Sequence, residues 1–336
     1  MTRFFLFICI STLLMACGQT VSNKEVDKSL LPKSSGKYGE VLVVLDTSYE
    51  SKKTGEMVRK IFNQMMPALP QAETQFRMST VHEDAFKSIL KRSRNILKLI
   101  IAKKRKAKID IERDVWAKNQ LLIQITASSD QEASEILEKN LNAIRAYFNE
   151  EEIDRLIKQY KIRPEKDLIN ELREKYNISL TIPPGFVLMD QSEKGFWIKK
   201  EKRLGEHLIL QGVSVYKLPY TNDSLFDSKA VIDSRDKFTR KHIQGSLEGS
   251  YMAVYSEYEL NTTDFNWKNN YVKEYRGLWN MKNDFMGGPF VHYAIVDTNR
   301  NEIIHLDGFV YAPKFNKREY LRELEALIRT VSFSTD

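Results

Sequence analysis

Two histidines and an aspartate near the end of the chain are the residues whose types and spacing could support chemistry. A four-residue turn over 298–301 would place residue 297 opposite residue 302, and His292 would then pair with Asp307. His305 would lie diagonally next to His292 on the same face. A carboxylate that orients an imidazole can support proton transfer or fix a metal ligand. These three residues are therefore the candidate catalytic residues of a hydrolase or metal-dependent enzyme.

The same spacing is also expected of a structural pair. Polar residues commonly pair across the half-solvated face of an antiparallel sheet. The sequence favours this interpretation, so we assign no catalytic residue. In that register the opposite face is apolar and suited to packing against the last helix. It comprises Val291, Tyr293, Ile295, Ile304, Leu306 and Val310.

Other signatures of enzymes are missing from the sequence. It contains no His-Glu-x-x-His, no Gly-x-Ser-x-Gly and no phosphate-binding glycine loop. Its two cysteines are Cys9 and Cys17, the first removed with a leader and the second occupied by lipid, as argued next. We therefore expect no disulfide, thiolate nucleophile or cysteine-ligated metal site. The sequence also assigns no other metal ligand and no cofactor.

The chain opens with an apolar leader. Arg3 precedes an apolar run, and Leu14-Met15-Ala16-Cys17 closes it. This order is similar to the cleavage signal of bacterial lipoproteins, and it predicts a signal peptide over 1–16 and lipid on Cys17. The apolar run is too short to span a bilayer, whereas two or more acyl chains hold a protein at a membrane almost permanently. The predicted anchor is therefore lipid.

The residues after the cysteine predict the compartment and a tether. Gly18 stands where an aspartate would favour retention in the inner membrane, so we expect an outer-membrane lipoprotein on the periplasmic face. Residues 17–37 have no periodic apolar face and should form a flexible tether.

Composition indicates a globular protein with two domains. The chain has 336 residues, is 42% hydrophobic and 29% charged, and carries a formal charge of +7. We predict domains over 38–160 and 161–336. A moderate positive charge does not require nucleic acid, and we expect none. The expected partners are the membrane, through the lipid on Cys17, and an envelope protein or glycan.

Apolar periodicity predicts an α+β fold. In the first domain 95–101, 108–113 and 120–126 are predicted to be three neighbouring antiparallel strands, followed by a long helix. The second domain alternates strands and helices and ends in an amphipathic helix after residue 317. We predict two mixed, mainly antiparallel sheets with helices packed on one face.

Two further segments are candidate contact surfaces. Lys103–Lys108 is the densest basic run and is predicted to be a solvated hairpin tip, although it could contact lipid phosphates or an acidic polymer. The second half is rich in aromatic residues, which core packing explains best. Within it, the candidate binding residues are Trp279, Gly287, Gly288 and Phe290.

Several segments of the second half are similar to a known family. These are Gly277-Leu278-Trp279-Asn280, Gly287-Gly288-Pro289-Phe290, Asp307-Gly308-Phe309-Val310-Tyr311-Ala312-Pro313 and Lys317-Arg318-Glu319-Tyr320-Leu321. They resemble a family of bacterial lipoproteins of the Bacteroidota type that is grouped as a domain of unknown function. The resemblance implies anchoring and compartment, and it implies no reaction and no catalytic residue.

These observations favour one function over two others. The favoured hypothesis is a lipid-anchored, periplasm-facing envelope protein that binds a partner protein or an envelope component and is not an enzyme. One alternative is a hydrolase or metal-dependent enzyme that uses His292, His305 and Asp307. The other is a carrier of a small apolar ligand held between helix and sheet.

Overall fold

A computed structural model describes residues 27–268 and 270–333, so Cys17 and the predicted signal peptide lie outside the described residues. Within that part, two sheets carry most of the structure. The first has five strands in the order β2-β1-β3-β5-β4. Their bounds are Glu40–Val44 (β1), Arg77–Val81 (β2), Asn95–Ile101 (β3), Lys108–Arg113 (β4) and Leu121–Ala127 (β5).

The first sheet is mainly parallel. β1 pairs in parallel with β2 and β3, and β3 pairs in parallel with β5. Only β4, at the edge, is antiparallel to its neighbour β5. The prediction of three neighbouring antiparallel strands is therefore wrong for β3. The physical reason is that β5 inserts between β3 and β4, so the basic run that starts at Lys103 is a crossover and not a hairpin tip.

Helices cover one face of the first sheet. α1 (Lys53–Phe62) and α2 (Asp130–Tyr160) pack there on the apolar residues of β1, β3 and β5. α2 begins after Ser129, whose hydroxyl accepts the backbone N–H of Glu132 at 3.2 Å, as a helix N-cap does. On the other face, Phe86 and Trp116 pack edge to face with their ring centroids 5.5 Å apart.

The second sheet has eight strands and is antiparallel throughout. Its order is β10-β12-β13-β14-β9-β8-β7, with β11 also paired to β12. The bounds are Val187–Ser192 (β7), Gly195–Leu204 (β8), His207–Pro219 (β9), Tyr251–Val254 (β10), Asn261–Trp267 (β11), Asn270–Lys282 (β12), Gly287–Asp297 (β13) and Glu302–Tyr311 (β14). A separate pair joins β6 (Ile178–Ser179) to β15 (Ser332–Phe333). The predicted α+β class is confirmed.

Helices cover both faces of the second sheet, where the sequence predicted one. α3 (Lys166–Tyr176), α5 (Arg318–Ile328) and the end of α2 pack on one face. α4 (Ser228–His242) packs on the other. The reason is that both sets of alternating residues on β13 and β14 are buried, so neither face is left for solvent.

The first half contributes side chains to the core of the second sheet and a cap to α5. Ile153, Leu156 and Tyr160 from the end of α2 belong to the core of the second sheet. The carboxylate of Glu73, from the first half, accepts the backbone N–H groups of Lys317 and Arg318 at 2.6 and 3.2 Å and so caps α5.

Part of the predicted tether is hydrogen-bonded to the first domain. The backbone N–H of Lys118 donates to the Pro32 carbonyl at 2.8 Å, and Ser35 bonds to Arg92 and Arg94. Residues 32–37 are therefore part of the first domain, contrary to the tether predicted to reach residue 37. None of the helices in the described ranges is long and apolar enough to cross a bilayer.

Candidate functional site

The predicted register of the last hairpin is confirmed. Asp297 pairs with Glu302, and His292 lies directly opposite Asp307, with His305 diagonal to it on β14. The opposite face packs on α5 through the six apolar residues that the sequence indicated, which are Val291, Tyr293, Ile295, Ile304, Leu306 and Val310.

The histidines and the aspartate are buried, contrary to the half-solvated face that the sequence favoured. Their exposed fractions are 0% for His292, 1% for His305 and 0% for Asp307. The cause is α4, which crosses this face of the sheet. A substrate cannot contact these side chains while α4 is in place.

A guanidinium from α4 completes the cluster. Arg235 donates from Nε to Asp307 Oδ1 at 2.9 Å and from Nη2 to Oδ2 at 3.0 Å. It also lies over the Phe290 ring, 4.2 Å from the centroid. Arg235 is itself fully buried, so this is a bidentate ion pair inside the core. Arg235 was not among the predicted site residues, although it lies four residues after Val231 on the buried stripe of α4.

The hydrogen bonds continue from the ion pair through both imidazoles. His292 Nδ1 lies 3.3 Å from Asp307 Oδ1, and His292 Nε2 lies 2.9 Å from His305 Nδ1. The His305 ring then stacks on Tyr216, at 4.7 Å between centroids and 13° between planes. The result is a continuous polar chain from α4 across three strands. We refer to Arg235, Asp307, His292 and His305 as the buried cluster.

Electrostatics keep the two histidines neutral. Burial lowers the pKa of His292 even though Asp307 acts to raise it. Burial, and then the neighbouring His292, lower the pKa of His305 well below its usual range. Burial acts to raise the pKa of Asp307, but Arg235 and His292 outweigh it and the pKa falls. The cluster thus holds one ion pair and two neutral rings.

The buried cluster does not have the geometry of a metal centre. The facing nitrogens of the two histidines are 2.9 Å apart and bonded to each other, and both oxygens of the Asp307 carboxylate contact Arg235. A cation there would also meet the guanidinium. Across 27–268 and 270–333, no group of three or more His, Cys, Asp or Glu side chains is placed to hold a metal ion.

Three of the four candidate binding residues lie in the core, and Gly287 is half-buried. Trp279 and Phe290 are 2% and 1% exposed and belong to the cluster beneath α4. Gly287 and Gly288 open β13 opposite Asn280 and Trp279. A Cβ on Gly288 would lie 1.9 Å from the Val310 carbonyl oxygen, so close backbone packing explains this glycine.

A basic cleft lies between α4 and the ends of β7, β8 and β9. Its volume is about 590 Å³, and its apolar wall is formed by Tyr216, Leu218 and Phe238. Lys194, Lys237 and Lys241 are exposed around it, and the other lining residues are Ser192, Glu193, Lys217, Asp233, Ser234 and His242. We call this the α4 cleft. Residues 234, 237, 238 and 241 have the spacing of one face of a helix, and this pattern in the sequence could have indicated the cleft.

Pairing within the α4 cleft leaves a net positive charge. Lys217 lies 3.3 Å from Glu302, and Asp233 is held by Lys229. The Tyr216 hydroxyl lies 3.3 Å from the Ser234 hydroxyl, and its ring contacts His305. Tyr216 thus joins the α4 cleft to the buried cluster.

Two protein-family models match different segments of the chain. Residues 34–161 match the family model Domain of unknown function (DUF8532), and residues 165–330 match Domain of unknown function (DUF4837). The segment that matches DUF4837 contains the buried cluster and the α4 cleft, and the segment that matches DUF8532 contains the first sheet. No match was found among curated proteins.

Proposed function

We propose that the protein is a lipid-anchored, periplasm-facing envelope protein that binds an acidic envelope component in the α4 cleft. The observation that carries the binding part is the set of three exposed lysines, Lys194, Lys237 and Lys241, around an apolar wall. Ammonium groups attract carboxylates and phosphates, and several of them around one cleft add to a local positive potential.

The buried cluster supports a binding role over catalysis. A general acid or base must come within hydrogen-bond distance of its substrate. His292 and His305 are covered by α4 and bonded to each other, so they hold the wall of the α4 cleft in place through Tyr216. We therefore propose that this cluster has a structural role.

The lipid anchor rests on the leader and is tested separately. Replacing Cys17 by Ser should abolish labelling by radioactive or alkynyl fatty acid and release the protein from the membrane fraction. Unchanged acylation and unchanged membrane extraction would overturn the anchor.

Binding in the α4 cleft can be tested by site-specific crosslinking in cells of the native host. A photoreactive residue at Leu218 should give adducts, and the triple variant Lys194→Ala, Lys237→Ala, Lys241→Ala should lose most of them. The matched control carries Lys103→Ala, Lys104→Ala and Lys106→Ala, which removes the same charge from the exposed basic crossover.

The proposal is tested by comparing the yield of crosslinked adducts in the two triple variants. Loss of adducts only in the cleft variant supports a site in the cleft. Equal loss in both variants would indicate attraction to the overall positive charge, and no loss in either would exclude a role for the lysines. Both results contradict the proposal.

A further inference from the structure

A second cavity lies at the junction of the two domains, away from the α4 cleft. Its volume is about 430 Å³. It is bounded by Tyr38 from the first domain, the last turn of α2, the turn before β7, strands β8 and β9, and α5. Most of the wall is apolar, and it is formed by Leu156, Tyr160, Ile162, Pro183, Pro184, Phe186, Leu324 and Leu327. We call this the junction pocket.

The pocket has the properties of a site for a small molecule. Such sites are concave, mostly apolar, frequently placed between domains, and provided with a few polar groups that orient the ligand. Here the polar groups are Tyr38, Gln159, Gln211 and Glu323. Tyr38 donates its hydroxyl proton to Gln159, so these two side chains orient each other.

Glu323 is the one carboxylate among the lining residues. Gln211 Nε2 donates to Glu323 Oε2 at 2.9 Å and to the Tyr320 carbonyl at 3.1 Å. Among the side chains that the structure describes, no salt bridge to the Glu323 carboxylate is found. A half-buried carboxylate that no cation contacts directly is unfavourable.

The positive charges near Glu323 do not offset the effect of its burial. Burial raises the pKa of Glu323, Gln211 and Lys200 oppose the rise, and the net shift is upward. Arg163 and Lys200 also line the pocket, so an anionic ligand must be compared directly with a cationic one.

We propose that the junction pocket binds a small organic amine, with the ammonium group on the Glu323 carboxylate and the carbon body against Phe186, Leu324 and Leu327. The ligand supplies an ammonium group in direct contact with the carboxylate, which Lys200 and Arg163 do not, and its apolar part leaves water. The pocket lies between helix and sheet, as expected for the carrier of a small apolar ligand, but the ligand proposed here carries a positive charge.

Three probes of similar shape and different charge test the proposal. Binding of 2-phenylethylamine, 2-phenylethanol and 3-phenylpropanoate to the full-length protein is measured at pH 7.5 by calorimetry and ligand-observed NMR. The amine should bind about tenfold more tightly than the alcohol, as expected of one charge-assisted contact. The carboxylate should bind most weakly.

Glu323→Gln tests the assigned contact. The amide keeps the size of the side chain, and we expect the amine to lose its advantage over the alcohol while the alcohol binds as before. Glu174→Gln, at an exposed position on α3, removes the same charge and should leave the ratio unchanged. If Glu323→Gln does not fold, the wild-type protein is titrated from pH 7.5 to pH 4.5. The amine affinity should then fall as the carboxylate is protonated, with little change for the alcohol.

Several results would overturn the proposal. These are equal affinity for amine and alcohol, tighter binding of the carboxylate, no binding of any probe, or an unchanged preference in Glu323→Gln.

Discussion

The buried pair of Arg235 and Asp307 makes the strongest prediction at the scale of single residues. Asp307→Asn leaves a guanidinium in the core without its counter-charge. We expect a loss of about 3–5 kcal/mol in the free energy of unfolding, measured by urea denaturation. The sequence predicted a half-solvated face for Asp307, and on such a face a replacement usually costs less than about 0.5 kcal/mol.

An exposed ion pair on the same helix provides the control. Lys229 and Asp233 are 85% and 62% exposed in their side chains. Lys229→Ala should cost less than about 0.5 kcal/mol beyond the propensity change. Similar losses for Lys229→Ala and Asp307→Asn would contradict the assignment of Asp307 to a buried ion pair.

The two neutral histidines predict how stability depends on pH. Their pKa values are lowered in the folded protein, so below about pH 6.5 the unfolded chain binds more protons than the folded one. Stability should therefore fall as the pH drops from 7.5 to 5.5, by up to about 1.4 kcal/mol per pH unit for each ring. His305→Asn should reduce this slope in urea titrations at several pH values. An equal slope in the variant would show that other groups cause the dependence.

The sequence predicted the site in part. Alternation and the four-residue turn were enough to pair His292 with Asp307 and to separate the polar face from the apolar one. Burial was not predictable in the same way, because it depends on α4, which is some 70 residues away in sequence. Arg235 was not predicted for the same reason. Its partner Asp307 is on a strand, and the periodicity of a helix gives no information about the strand on which the helix packs.

At the scale of elements, close backbone packing at the start of β13 can be tested. Gly288→Ala would place a Cβ 1.9 Å from the Val310 carbonyl oxygen, so β13 and β14 would have to move apart. We expect a loss of about 1–3 kcal/mol in the free energy of unfolding. Gly287→Ala, whose Cβ would lie 3.0 Å from the Trp279 carbonyl oxygen, should lose less. The reverse order would contradict the packing described for β13.

The positions of the strands were predicted more successfully than the order in which the strands pair. The strands β3, β4 and β5 were predicted from apolar periodicity, but an apolar run looks the same in a parallel and an antiparallel sheet. The short connections from β3 to β4 and from β4 to β5 favoured hairpins, and nothing in the sequence indicated that β5 pairs with β3. The second sheet was easier, since its hairpins follow one another along the chain.

At the scale of the whole molecule, the cap on α5 should connect the stability of the two halves. Glu73→Ala removes the carboxylate that accepts two N–H groups at the start of α5, and we expect a loss of about 1–2 kcal/mol. Hydrogen exchange followed by mass spectrometry should show faster exchange in α5 and in β2. Glu138→Ala, at an exposed position on α2, should change neither. Faster exchange confined to α5 would show that the halves are independent.

The long helix α2 has a consequence for the order in which the protein folds. Its 31 residues extend about 46 Å, and its last turns supply side chains to a sheet that begins only after residue 186. If the first sheet and α2 fold before the second sheet, Ile153, Leu156 and Tyr160 are exposed to water until β7–β9 and α5 pack on them. A folding intermediate of that kind would present an apolar surface at one end of α2, which is where its self-association would begin.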